Sequence, residues 1–187
     1  PNEPRPDHLE EFIAELHQKK TARYNQILTQ HPIPLRPGVR RLLTEARHQR
    51  IKLAIATTTG LQNVTTLLEY SLEPHAVTWF DVIAAGDIVT AKKPASDIYH
   101  YALQQLRLNA NQCIAIEDSN NGLRAARGAN LRTIITINDY TRHEDFSTAQ
   151  LVLNHLGEPN QPFTLLAGDA GDARYVDVGL LRHILMR

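Results

Sequence analysis

The sequence predicts an α/β fold, a parallel sheet with helices on both faces. Three observations predict it. From Pro37 onward, strand-length apolar runs alternate with helix-length amphipathic stretches, which is the rhythm of βαβ units. Hydroxyl, lysine and carboxylate residues gather where the apolar runs end, the edge of a parallel sheet at which functional groups collect. The third is bulk: 187 residues with 42% hydrophobic content are enough for one sizeable core.

The elements follow in order. Leu9, Phe12, Ile13, Leu16, Tyr24, Ile27 and Leu28 recur at helical spacing, so residues 7–30 are expected to form one long amphipathic helix. His31-Pro32-Ile33-Pro34 ends it as a stiff hinge. Beyond the hinge the pattern predicts helix 38–49, strand 51–57, helix 61–71, strand 82–85, helix 95–107, strand 113–117, helix 121–129 and strand 132–137. Pro94 forces the residue before it out of the helical region and opens the helix of 95–107. Ser119 is placed to cap the next helix, and Asn130 to close it in the left-handed conformation. Residues 166–173, rich in Gly and Asp, read as a flexible linker and lack the acid spacing of a calcium loop.

Composition excludes several function classes. Lys plus Arg and Asp plus Glu each number 20, so the net charge is zero and no nucleic-acid partner is indicated. No apolar run reaches membrane-spanning length, so no membrane partner is expected. The single cysteine, Cys113, lies in an apolar run and cannot form an internal disulfide, which points to a reducing, cytoplasmic location. Nine histidines are scattered without metal-ligand spacing, and this argues against a zinc site.

Three motifs carry the chemistry. In Cys113-Ile114-Ala115-Ile116-Glu117-Asp118-Ser119 two adjacent carboxylates stand where a strand gives way to a helix. Hard oxygens on such a loop suit Mg²⁺, which binds one or two carboxylates and fills its remaining positions with water and phosphate. In Ala54-Ile55-Ala56-Thr57-Thr58-Thr59-Gly60 an apolar run ends in three hydroxyls and a glycine, a setting in which N–H and O–H donors converge on an anion. In Lys92-Lys93-Pro94 a lysine is pinned just before a helix N-terminus. Each motif alone is compatible with an ordinary capped turn or a solvated surface; the three in this order are far more specific.

Together they resemble the second, third and fourth motifs of the haloacid dehalogenase superfamily of phosphatases. Within it, the chain most resembles the β-phosphoglucomutase-like subgroup, and more closely the CbbY-type sugar-bisphosphate phosphatases, from about Leu9 to Pro159. The resemblance implies a Rossmann-like sheet, with residues 1–33 as the last part of a helical cap domain and its hinge, and residues 34–187 as the core. It implies catalytic roles for Thr57 and Lys93, metal binding by Glu117 and Asp118, and a Mg²⁺ cofactor. Thr58, Asn63, Lys20, Arg23 and Arg36 are implied as residues that meet a small sugar-phosphate substrate.

One family element is not found. The superfamily's attacking aspartate lies in an Asp-x-Asp sequence at the end of the first strand, and no such element occurs in this chain. Phe80-Asp81-Val82-Ile83 imitates its start, but Ile83 stands where the second aspartate belongs. In the superfamily's strand order that strand lies between the one ending at Thr57 and the one ending at Glu117. The expectation is therefore a core lacking its first strand and inactive alone, completed by a separate N-terminal segment or a strand-donating partner. Three functions stay open: a Mg²⁺-dependent phosphatase of a sugar bisphosphate such as xylulose-1,5-bisphosphate, acting through an aspartyl-phosphate; a β-phosphoglucomutase-like isomerase; or a truncated, non-catalytic binding or assembly module.

Overall fold

A computed structural model describes residues 8–187. Residues 1–7, which are the first seven of the expected cap portion and include the first residue of the expected helix, lie outside the described residues. Helix α1 (Leu9–Gln30, 22 residues) buries only Leu28 and packs against the later helix α3 (Leu61–Ser71). Phe12, Ile13 and Leu16 of α1 remain substantially exposed. After the hinge, Gly38 adopts a left-handed conformation (φ 88°) and opens α2 (Val39–His48). A side chain there would meet the Gly157 carbonyl at 2.5 Å, so the close approach of two backbones requires glycine.

The βαβ rhythm then runs as expected. Strand β1 (Ala54–Thr57) leads through α3 to β2 (Val82–Ala85), and β1 and β2 pair in parallel. Helix α4 (Asp97–Leu106) follows; Pro94 and the turn after it delay its start two residues beyond the expected position. Strand β3 (Ile114–Glu117), helix α5 (Asn120–Gly128) and strand β4 (Arg132–Thr136) complete the predicted series. Ser119 caps α5 by accepting the Gly122 N–H at 3.2 Å, and Asn130 takes a left-handed φ of 59° just past its end.

The C-terminal region differs from the sequence reading. The first three residues of the expected linker belong to a strand: β6 (Leu165–Gly168) runs antiparallel to β5 (Leu151–Leu153), which is parallel to β4, while residues 169–173 stay outside it. All four β6 residues are exposed, so an edge strand with neither alternating burial nor length leaves little trace in composition. A last helix, α6 (Val178–Met186), capped by Asp177, covers the core formed by Leu42, Ile134, Leu151, Leu153 and Val176.

The sheet itself comes in two parts, β1-β2 and β3-β4-β5-β6. Both parts share one apolar cluster, in which Ala84 and Ala115 pack with Ile98, Ala102, Ala125 and Ala126 of α4 and α5. Yet β1 and β3 do not pair with one another. Ile116, in the middle of β3, is 41% exposed, whereas Ile134 and Ile135 of β4, paired on both sides, are fully covered. Among the described residues no helix is long and apolar enough to cross a membrane.

Candidate active site

The carboxyl ends of β1 and β3 are joined by one side chain. Lys93 Nζ donates to the Ala56 carbonyl at 2.9 Å and to Glu117 Oε1. The Asp81 N–H donates to the Leu53 carbonyl, so residues 53, 55 and 57 face β2. Ala54 and Ala56 therefore turn their backbone groups to the opposite edge, and that is where Lys93 reaches. The two neighbouring lysines divide their work. Lys92 is tied to Asp87 and to carbonyls of its own loop, which leaves Lys93 for the strand ends.

The Lys93–Glu117 pair is largely removed from water, with side chains 13% and 7% exposed. A buried pair of this kind is costly to break from one side, by about 3–5 kcal/mol, because the remaining charge is left uncompensated. Tyr99, buried on α4, donates its hydroxyl to the same Oε1. Burial, and secondarily the charge of Glu117, push the Tyr99 phenol far above its ordinary pKa, so it stays a donor. The other carboxylate oxygen lies over Gly122, where an added Cβ would stand 1.8 Å away.

Asp118 behaves differently from its neighbour: it is exposed, and Oδ2 accepts the Asn138 side-chain amide at 3.3 Å. Asn138 is held for this task, since its Oδ1 accepts the N–H groups of Tyr140 (2.8 Å) and Thr141 (3.1 Å), which turns Nδ2 toward Asp118. Thr57 sits at the end of β1 and accepts the Thr59 N–H at 3.2 Å. Thr58 is exposed beside it. Asn63 donates to the Thr59 hydroxyl at 3.2 Å and leaves its own carbonyl oxygen without a partner.

Of the three remaining expected site residues, two have attachments of their own. Arg36 is fully engaged by the fold: Nη1 donates to the Thr136 carbonyl (3.2 Å), and Nη2 to the Ile137 (2.7 Å) and Asn154 carbonyls. It clamps the hinge to the ends of β4 and β5, which need donors beyond their ladder. Lys20 is exposed on α1, and Arg23 bonds Gln26 on the same helix at 2.8 Å. Neither lines the groove of about 480 Å³ between α1 and α3, whose walls include His17, Thr21, Asn25 and Gln62. A larger cavity, about 660 Å³, lies on the outer side of α5 among Arg124, Arg127 and Glu144, away from Lys93.

Metal binding fits these residues only in part. Among the described residues no three His, Cys, Asp or Glu side chains converge. Glu117 is committed to Lys93 and Tyr99, so Asp118 is the one carboxylate of the loop directed outward. A lone carboxylate on a βα loop suits Mg²⁺ as one ligand of several, the others being water, phosphate or a further carboxylate.

Tyr99, Gly122 and Asn138 were not singled out by the sequence. Tyr99 lies on the apolar face of α4 beside Ile98 and Ala102 and looks like any core aromatic. Gly122 did leave a signal: glycine inside a helix costs about 1 kcal/mol relative to alanine, so its place in the first turn of α5 calls for a reason.

A doubly covered α/β sheet with a lysine, a threonine and an acidic βα loop at its carboxyl edge defines a class of phosphate-handling hydrolase folds. The chain matches the model of the haloacid dehalogenase-like hydrolase family over residues 4–136, and it belongs to that family. It is 47% identical over 146 residues to CbbY of Cereibacter sphaeroides, covering 78% of this chain and 64% of that protein. With the plasmid-borne CbbY of Cupriavidus necator it shares 40% identity over 182 residues, 97% of this chain and 71% of the relative. A solved structure of a CbbY variant from Rhodobacter sphaeroides, in complex with xylulose-1,5-bisphosphate, aligns with a TM-score of 0.75 at 47% identity over 76% of this chain and 64% of that one. The chain thus spans just under two thirds of the length of the Cereibacter protein.

Proposed function

We propose that this chain forms the core of a Mg²⁺-dependent phosphatase acting on a small sugar bisphosphate, with xylulose-1,5-bisphosphate as the favoured substrate. The observation that carries the reading is the placement of Lys93, held between the Ala56 carbonyl and Glu117. An ammonium has three donors, and two are engaged, so the third is left for a phosphoryl oxygen at the strand ends. Support for the substrate comes from the relatives: a CbbY protein 47% identical to this chain binds that bisphosphate.

In this reading Thr57 donates its hydroxyl to the phosphoryl group, and Lys93 neutralises charge that develops on it. Asp118, steadied by Asn138, holds Mg²⁺. When bound, the ion adds its own charge neutralisation at the phosphate oxygens. Glu117 serves Lys93 and is not needed as a direct ligand. With Arg36 engaged as a clamp, the distal phosphate falls to Lys20 and Arg23 of α1, the end of a cap domain joined through the hinge. Thr58 and Asn63 line the substrate side of the β1 loop.

The attacking carboxylate, in this proposal, enters on a strand that pairs with the free edges of β1 and β3. The separation of the sheet there, the backbone groups of Ala54 and Ala56 turned outward, and the exposure of Ile116 support it. A polypeptide of residues 1–187 alone is then expected to release no phosphate, and one supplied with an Asp-x-Asp strand to do so. Phosphate release should be measured on both with xylulose-1,5-bisphosphate, and sugar isomerisation with β-glucose phosphates. Isomerisation without hydrolysis would replace the phosphatase by a mutase. Replacing Lys20 and Arg23 with Ala should weaken the bisphosphate far more than a monophosphate; equal effects would remove both residues from the site.

A further inference from the structure

Glu117 is held from three sides, and only one of them is the lysine it serves. Its Oε1 accepts both the Lys93 ammonium and the Tyr99 hydroxyl, while its Oε2 occupies the space over the Gly122 backbone. An alanine at 122 would bring its Cβ to 1.8 Å from Oε2 and 2.2 Å from the carboxyl carbon, so no side chain can share that niche. The tyrosine approaches from α4 and the glycine belongs to α5, so two separate elements converge on one carboxylate. Tyr99 also presents its ring to the ammonium, whose nitrogen is 5.1 Å from the ring centroid.

We infer that Tyr99 is a positioning residue for phosphoryl transfer: its hydroxyl, together with the space left by Gly122, locks the Glu117 carboxylate so that Lys93 is aimed at the strand ends. The inference rests on the phosphatase reading, and it assigns Tyr99 no contact with substrate. The physical reason is geometric. A carboxylate with one partner can swing about its terminal torsion and carry the lysine with it. A carboxylate held by a neutral donor on one oxygen and packed against backbone on the other cannot. A phenol is already protonated in the physiological pH range, and burial raises its pKa further, so the hydroxyl remains a donor there.

The test compares wild type, Tyr99→Phe and Gly122→Ala in protein supplied with the completing strand. Tyr99→Phe keeps the ring and removes only the hydroxyl. Three quantities are read: the exchange rate of the Lys93 ammonium protons by lysine-selective NMR, assigned through Lys93→Arg, and kcat and KM for the bisphosphate. Tyr99→Phe should quicken proton exchange and lower kcat, each about tenfold, the effect of losing one hydrogen bond to a charged group, with KM little changed. Gly122→Ala, which displaces the carboxylate from the other side, should change both in the same direction and by more. Unchanged exchange and kcat in a folded Tyr99→Phe protein would overturn the inference, and so would Gly122→Ala with a wild-type Lys93 signal. A wild type that hydrolyses no sugar phosphate, yet shows quickened exchange in Tyr99→Phe, would leave the lock standing and bring down the phosphatase reading instead.

Discussion

Arg36 offers a direct contrast between a structural and a ligand-binding role. Its guanidinium reaches the carbonyls of Thr136, Ile137 and Asn154, so replacing it with alanine leaves three acceptors at the ends of β4 and β5 with water as the only substitute. A hydrogen bond from a charged donor contributes about 1.5–3 kcal/mol when buried, and here the site is open to solvent, so about 2 kcal/mol for the whole clamp is a fair magnitude. In a protein of this size that corresponds to a fall in Tm of about 4–8 °C. The informative variant is Arg36→Lys. It keeps the positive charge but cannot present a planar fork, so the clamp reading expects most of the stability loss to remain. Calorimetry or denaturant unfolding measures the loss, and bisphosphate affinity of the folded variants measures the alternative. Arg36→Lys with wild-type stability, or Arg36→Ala with a selective loss of bisphosphate affinity at unchanged Tm, would refute the reasoning.

Two further predictions concern the frame around the site. Leu123, 2% exposed and packed on Ile135, Phe146 and Val152, anchors α5 beneath the acidic loop; Leu123→Ala should cost about 3 kcal/mol and lower Tm by about 10 °C in a thermal melt. His155 accepts the Gly157 N–H on Nδ1, and burial, then the nearby charge of Arg36, hold its pKa below the ordinary 6.5. The folded state therefore binds the proton less readily than the unfolded chain, so the stabilisation is complete above the unfolded value of 6.5 and is lost as pH falls through the folded pKa. Denaturant midpoints should decline between about pH 7 and about pH 5 in the wild type, and His155→Asn should flatten that decline; an unchanged slope would show that another group is responsible.

Much of the architecture was legible because it is written in periodicity. The runs at Ala54–Thr57, Val82–Ala85, Ile114–Glu117 and Arg132–Thr136 are short, apolar at their centres and bounded by turn or cap residues, and each forms a parallel strand. Ser119 and Asn130 declared the two ends of α5 through capping chemistry, a local property that sequence carries well. Strand β6 was illegible for the opposite reason: an exposed edge of four residues has no buried face to impose a pattern. At the strand ends, motifs single out Thr57, Lys93, Glu117 and Asp118 as candidates, but the different surroundings of the two adjacent acids are not legible in them. Which carboxylate turns inward depends on Tyr99, eighteen residues before Glu117, and on a missing side chain at Gly122. Arg36 gave a similar lesson. A basic residue at a hinge looks like a phosphate ligand, and no local pattern announces the carbonyls a hundred residues or more away that the fold brings to it.

The central claim is that Lys93 and Asp118 serve phosphoryl transfer at the joined ends of β1 and β3. Phosphate release from xylulose-1,5-bisphosphate with Mg²⁺, measured for the strand-completed protein and for its Lys93→Met and Asp118→Asn variants, tests it most directly. The account predicts turnover in the parent and a loss of roughly a hundredfold or more in kcat for each variant, since each removes a preorganised charge or its anchor. Turnover that survives both substitutions at the parent rate would place the chemistry elsewhere on the molecule and contradict the account.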